Sequence, residues 1–303
     1  MKRGLQRVRS LIAERPGAAF GGGLLLVITL VAILAPVIAP YPPDQQVGPI
    51  YQAPSSGHWL GLSDEGFDVV SQLIWACRVS LLVGFCAALV SIVVGGTIGI
   101  LAGYFGGAID LVLTAITDYF IVIPALPLLI VVAAVWGPSL FHIILSLGLL
   151  LWTTSARVIR AQVKSLRERT YVRRSRTLGG GHLHTIFRHV VPHTAPLLVA
   201  NTILTVSAAI FAETALAFLG LGDPSQTSLG KLIEDAYERG ATTQRAWWAL
   251  LPPGILVAVI VLSATLVGLA IEEALNPRRS HVPFQLHLFG RRRRTTELPP
   301  STA

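Results

Sequence analysis

The chain has 303 residues, of which 52% are hydrophobic and only 13% charged, with a mean hydropathy of +0.64 and a formal net charge of +8. One soluble core cannot hide that much apolar surface, so lipid must be the solvent for much of it. An ordinary soluble domain is excluded, and nucleic acid is a poor reason for the charge because no soluble basic domain is present to read a groove.

A bilayer core about 30 Å thick needs roughly 20 apolar residues per helical crossing. Runs of that order lie near 18–39, 79–104, 111–135, 139–156, 197–219 and 249–271. They predict an all-α integral membrane protein with about six transmembrane helices. Lys2, Arg3, Arg7, Arg9 and Arg15 precede the first run as the n-region of a signal peptide would. The stretch from Gly17 to Ala39 is too long for an h-region of about 7–15 residues, however, and no small-residue cleavage site precedes Pro40. The run is read as a retained helix.

Positive residues in short loops stay cytoplasmic. With the N-terminus inside, five Lys/Arg fall in the N-tail, nine in the 157–193 loop and six after Asn276, leaving only Arg78, Lys231, Arg239 and Arg245 elsewhere. Both termini are therefore expected on the cytoplasmic side of the membrane. The organisation is a cytoplasmic tail (1–17), a membrane domain (18–280) and a basic cytoplasmic tail without fixed structure (281–303), whose Arg291 to Arg294 run is a solvated, lipid-facing segment.

The loop at 41–78 is external and opens on Pro42, Pro43 and Asp44, which favour a turn. Phe67, Val70 and Ile74 recur at helical spacing, predicting a short amphipathic helix on the membrane surface before the second span turns inward. That helix is either interfacial packing or part of a docking surface. Cys77 and Cys86 are about 13 Å apart by helix rise, too far to bridge.

The second span carries Ser91, Gly95, Gly99 and Gly103 at intervals of four, a stripe that lets helix backbones approach closely in lipid. Pro124 and Pro127 should kink the third span, as a bend or a hinge. Asp118 in the third span and Glu213 in the fifth are intramembrane carboxylates; each either lines a substrate path or gate, or closes an interhelical hydrogen bond. There is no ladder of such groups, which argues against a proton-driven transporter.

Past the fourth span, Ile159, Val163 and Leu166 continue a helix out of the membrane with Arg157, Arg160, Lys164, Arg167 and Arg169 on it. It stops at Gly179-Gly180-Gly181, where left-handed backbone is cheap. Leu183, Ile186, Phe187 and Val190 then lie at i, i+3, i+4 and i+7, a second short amphipathic helix that Pro192 ends. His182, His184, His189 and His193 have no Cys or paired acid beside them, so no metal site is expected. In the external 220–248 loop, Ser225 to Leu232 brushes the phosphate-loop pattern but has Ser225 for the first glycine and Leu232 for the terminal Ser/Thr. No nucleotide site and no catalytic residue is expected.

The 171–192 segment resembles the cytoplasmic signature of permease subunits in ABC importers, written Glu-Ala-Ala, three residues, Gly, about a dozen residues, then Pro. Gly179 and Pro192 keep that separation, and Leu178, Ile186 and Phe187 suit its apolar positions, while Arg173, Arg174 and Ser175 replace Glu-Ala-Ala. HWLG at 58–61, DVVSQLIWACRVSL at 68–81, GYFGGAID at 103–110, ETALAFLGLG at 213–222 and EEALNPRR at 272–279 are together similar to the dipeptide, oligopeptide and nickel importer permeases. Phe67 stands where that family commonly has Arg, and Asn276-Pro277 where it has Asp-Pro.

The resemblance implies a type I importer (MetI-like) fold with a coupling-helix loop, in which Tyr171, Arg173, Arg174, Ser175, Leu178, Gly179, Ile186, Phe187 and Pro192 meet the ATPases. It implies a second, homologous permease, two ABC ATPase subunits or domains carrying ATP and Mg, an extracytoplasmic substrate-binding protein, and no cofactor on this chain. The cargo expected is a di- or oligopeptide; nickel or another small solute remains open. An ion-coupled secondary transporter lacks an internal repeat here, and an intramembrane hydrolase would have only Ser91 and His142, framed by no motif.

Overall fold

The structure is a computed structural model that describes residues 16–275; both tails, with Arg291 to Arg294 and the Asn276-Pro277 pair, lie outside the described residues. Helix α1 (Pro16–Ile33) is followed at Leu34 by the short α2 (Ala35–Ile38). The first apolar run is thus broken, because Pro36 lacks the N–H that would bond Ala32 and its ring crowds that carbonyl.

Helix α3 (Val69–Phe105) has 37 residues. Asp68 caps it, its carboxylate accepting from Ser71 N at 2.9 Å and from Ser71 Oγ at 2.8 Å. This corrects the expected surface helix: Val70 and Ile74 lie in the first turns of α3 itself, since no breaker separates them from the span. At 1.5 Å per residue α3 is about 55 Å long, far more than the bilayer core, and its first turns are still packed into the apolar bundle through Val69, Leu73 and Ala76.

The third apolar run is two helices, α4 (Gly107–Val122) and α5 (Ala125–Trp136), bent by 84°. Pro124 drives Ile123 into the extended region (ψ 123°) and interrupts the ladder. Pro127 sits in the first turn of α5, where a missing N–H costs nothing. Helix α6 (Leu140–Arg167) begins where Asp223, from a distant loop, accepts from Leu140 N at 2.8 Å.

After α7 (Thr170–Thr177) and α8 (His182–Thr185), a π-helical turn at Ile186–Val190 leads into α9 (Val191–Leu216). The chain ends its described part with α10 (Leu229–Glu238), capped by Ser228, and α11 (Trp247–Leu275). Among the described residues, four helices are long and apolar enough to cross a membrane, five if the bent pair is one span, and α1 is a shorter apolar helix.

Helix α3 packs chiefly on α6, and the glycine stripe explains how. A Cβ on Gly95 would collide with the Trp152 carbonyl oxygen, and on Gly99 or Gly103 would stand 2.6 or 2.8 Å from the carbonyls of Ala156 and Arg160. Backbone meets backbone along more than two turns, where dispersion replaces the hydrophobic drive. Ser91, at the head of the stripe, is fully buried, and its hydroxyl has no hydrogen-bond partner among the described residues. Around this pair, α1, α9 and α11 close a core of Ile28, Leu73, Leu81, Val206, Ile210, Val257 and Ile260.

Candidate functional site

One end of the bundle gathers the basic loop. Helix α6 stops at Arg167 and not at the glycine run, correcting the expected continuous helix: Arg169 takes extended backbone (ψ 140°) and starts α7 as a separate element. Val172 is fully buried and pins α7 to the bundle, while Arg173 and Arg174 face outward. Arg173 pairs with Glu168 and holds that carboxyl below the usual carboxylate range. Tyr171 stacks on His193, ring centroids 5.4 Å apart.

The corner after α7 is a Schellman turn. Gly180 N donates to Ser175 O at 2.9 Å and Gly179 N to Arg176 O at 3.1 Å, with Gly179 left-handed at φ +84°. It leaves Leu178, Leu183 and Phe187 exposed by 87%, 71% and 69%. Ile186 and Val190 turn inward and pack on Tyr104, Ile159 and Val163. His182 Nδ1 lies 3.2 Å from Tyr104 Oη, tying the start of α8 to the last turn of α3.

Pro192 does not end the second helix. Val191 N donates to Ile186 O, five residues back; this widened turn makes room for the proline ring and absorbs its missing donor. His182–Leu221 is consequently one 40-residue helical element, running from the exposed corner through the core. The histidines are held by local contacts, His193 Nδ1 to His189 O at 2.8 Å among them. Among the described residues no cluster of His, Cys, Asp or Glu is placed to hold a metal.

The two intramembrane carboxylates sit apart. Asp118 pairs with Arg157 at 2.8 Å, both about half exposed, on a cavity of about 290 Å³ that Gly99, Thr117 and Arg160 also line. Glu213 is only 3% exposed and accepts from Ser80 Oγ at 3.2 Å, while Ser80 Oγ accepts from Leu229 N at 3.2 Å. Glu213 thus ties α3, α9 and the start of α10 together.

Sequence reasoning missed Asp110, which accepts from Arg160 at 3.0 Å and pairs with Lys164 at 2.6 Å, locking α4 to α6. Asp110 and the two basic residues were visible, but nothing in their spacing says that α4 and α6 lie side by side. The turn at Gly106 and Gly107, with positive φ at both, was the available signal for the α3–α4 reversal.

Residues 95–281 match the family described as "Binding-protein-dependent transport system inner membrane component". Residues 5–54 match the "N-terminal TM domain of oligopeptide transport permease C". The oligopeptide transport system permease protein OppC of Mycobacterium tuberculosis is 35% identical over 273 residues, which is 89% of this chain and 93% of that protein. The dipeptide transport system permease protein DppC of Haemophilus influenzae is 33% identical, over 90% of this chain and 95% of its own length. The di/tripeptide transport system permease protein DppC of Pseudomonas aeruginosa is 31% identical, over 88% and 89%. The first of these matches runs through the glycine stripe from Gly95 onward, the Gly179 corner and the long helix behind it, and the chain belongs to the binding-protein-dependent transport system inner membrane components.

Proposed function

We propose that this chain is the permease subunit of an ABC importer for di- or oligopeptides, forming the translocation path with a second, homologous permease. ATP and Mg belong to two partner ATPases, and cargo arrives from a binding protein outside the membrane. The observation that carries this reading is the corner surface of Leu178, Leu183 and Phe187: a large apolar patch on a basic loop, at the tip of a 40-residue helical element that enters the core. A push on that patch moves α9 as a lever, because Ile186 and Val190 fix the tip to the bundle. The peptide cargo is supported by the names of the three relatives.

Purification tests the division of labour. The chain should bring ATPase subunits with it from its own cell, and alone should hydrolyse no ATP above background. Turnover that survives removal of contaminating ATPases would sink the permease reading.

The orientation follows from charge: the corner end faces the cytoplasm, and the 41–68 segment and α10 face outward. Ser55, Ser165 and Ser225 are all exposed. In a background lacking Cys77 and Cys86, single cysteines at positions 55 and 225 should react with an impermeant maleimide in intact cells. One at position 165 should not, and labelling there would reverse the topology.

A further inference from the structure

Helix α11 starts at the end of the bundle opposite the corner, where Ala249 packs on Ala236 of α10. Beside its first turn runs a groove of about 370 Å³, within the roughly 300–1,000 Å³ typical of ligand sites. Its lining is apolar except for Thr242 and Arg245, with Trp247 and Leu251 exposed on it. Trp247 stands two residues outside the apolar run at 249–271, so the groove lies where a bilayer core meets its headgroups. Beyond it, Leu251, Ile255, Leu262 and Leu269 are exposed at spacings of four, seven and seven, one stripe along α11. The bundle leaves that stripe uncovered, and in a membrane acyl chains lie against it.

The cation is a separate observation. Four Lys/Arg lie outside the N-terminal tail, the 157–193 loop and the C-terminal tail, and three of them are engaged. Lys231 pairs with Glu234 at 2.6 Å and with Asp235 at 3.0 Å, Arg239 pairs with Asp64 at 2.8 Å and with Glu65, and Arg78 lies 5.7 Å over the Trp75 ring. The fourth, Arg245, makes no side-chain hydrogen bond or ion pair among the described residues. It also holds φ +56°, a left-handed backbone that glycine would take freely. A charged side chain kept at such a position, without a partner and in an apolar setting, points to a contact that the chain itself does not supply.

We propose that the groove holds one anionic phospholipid, its phosphate on Arg245 and an acyl chain running over Leu250 and Leu251 onto the α11 stripe. The guanidinium fork suits two oxygens of a phosphate diester, and the Thr242 hydroxyl supplies a neutral donor on the same groove. A zwitterionic headgroup brings its own ammonium to that phosphate, so a net-anionic lipid pairs better with a lone cation. Bound there, the lipid clamps the 240–246 turn, and α10 behind it, to the first turn of α11. The proposal needs only that α11 spans the membrane, and it is independent of the cargo.

Native mass spectrometry of the delipidated full chain, titrated in detergent with dioleoylphosphatidylglycerol, tests it. One lipid should bind ahead of the rest, and Arg245→Gly should weaken that first site about tenfold, the loss of one charge-assisted contact. Glycine fits the left-handed backbone, so this variant folds at least as well as the parent. Arg245→Lys should keep most of the affinity, and Arg78→Gln, which removes another cation outside the basic loop and tails, should keep all of it. Dioleoylglycerol, with the chains and no phosphate, and dioleoylphosphatidylcholine should bind the first site more weakly. Glycerophosphoglycerol, the headgroup without chains, should not displace the lipid. Unchanged binding in Arg245→Gly, equal binding of either control lipid, or displacement by the free headgroup overturns the site. So does a cysteine at position 245 that cross-links to the second permease in the assembled complex, because the groove would then belong to a protein interface.

Discussion

Gly95→Val should strip most of the folded protein from the membrane. The new Cβ would meet the Trp152 carbonyl oxygen and the Ser155 side chain, with Ala156 N 3.0 Å away. Two of those atoms are backbone, so relief requires α3 and α6 to separate along their whole contact. Overpacking costs about 1–3 kcal/mol where side chains can yield; here, where backbone must move, about 3 kcal/mol or more is expected. Gly23→Val is the matched control, since nothing lies within 4 Å of its Cβ. Membrane-fraction abundance and the thermal midpoint in detergent check both: a several-fold loss for Gly95→Val, and near wild-type values for Gly23→Val.

Gly179→Val should do the reverse, sparing abundance and abolishing transport. Its Cβ points into open space, so the penalty is backbone strain alone. A β-branched residue at φ +84° costs on the order of 1–2 kcal/mol. The Schellman turn would open and Leu178 would lose its place relative to Leu183 and Phe187, but Gly179 touches none of the buried core. Membrane abundance should hold, peptide uptake should fall to background, and ATP hydrolysis by the assembled complex should no longer respond to cargo. Gly179→Asn, which enters the left-handed region more readily, should restore part of the uptake. Uptake at the wild-type rate in Gly179→Val would reduce this glycine to a loop residue.

The contrast between these two glycines shows where the sequence was informative. The four-residue spacing from Ser91 to Gly103 announced a close helix contact, because only packing in lipid rewards such a stripe. It could not name α6 as the partner, since Ser155 and Ala156 acquire meaning only once the helices are side by side. Gly179-Gly180-Gly181 marked a corner, yet only the backbone shows that Gly179 alone of the three takes positive φ.

Two sequence rules misled for identifiable reasons. Proline ends a helix when its ring meets an α-helical carbonyl, and at Pro192 a π turn removes that carbonyl from its path. An amphipathic pattern before an apolar run suggests two helices, but from Val69 to Phe105 no residue breaks the ladder. Glu213 was visible as a buried charge, but its partner Ser80 is 133 residues away.

ATP-dependent uptake of a labelled tripeptide into proteoliposomes, by this chain assembled with its cognate permease, ATPases and binding protein, tests the central claim most directly. Accumulation should require ATP on the corner side of the membrane and should vanish when Leu178, Leu183 and Phe187 are replaced together by serine, with the bundle still folded. Uptake by this chain alone, driven by an ion gradient and indifferent to that replacement, would contradict it.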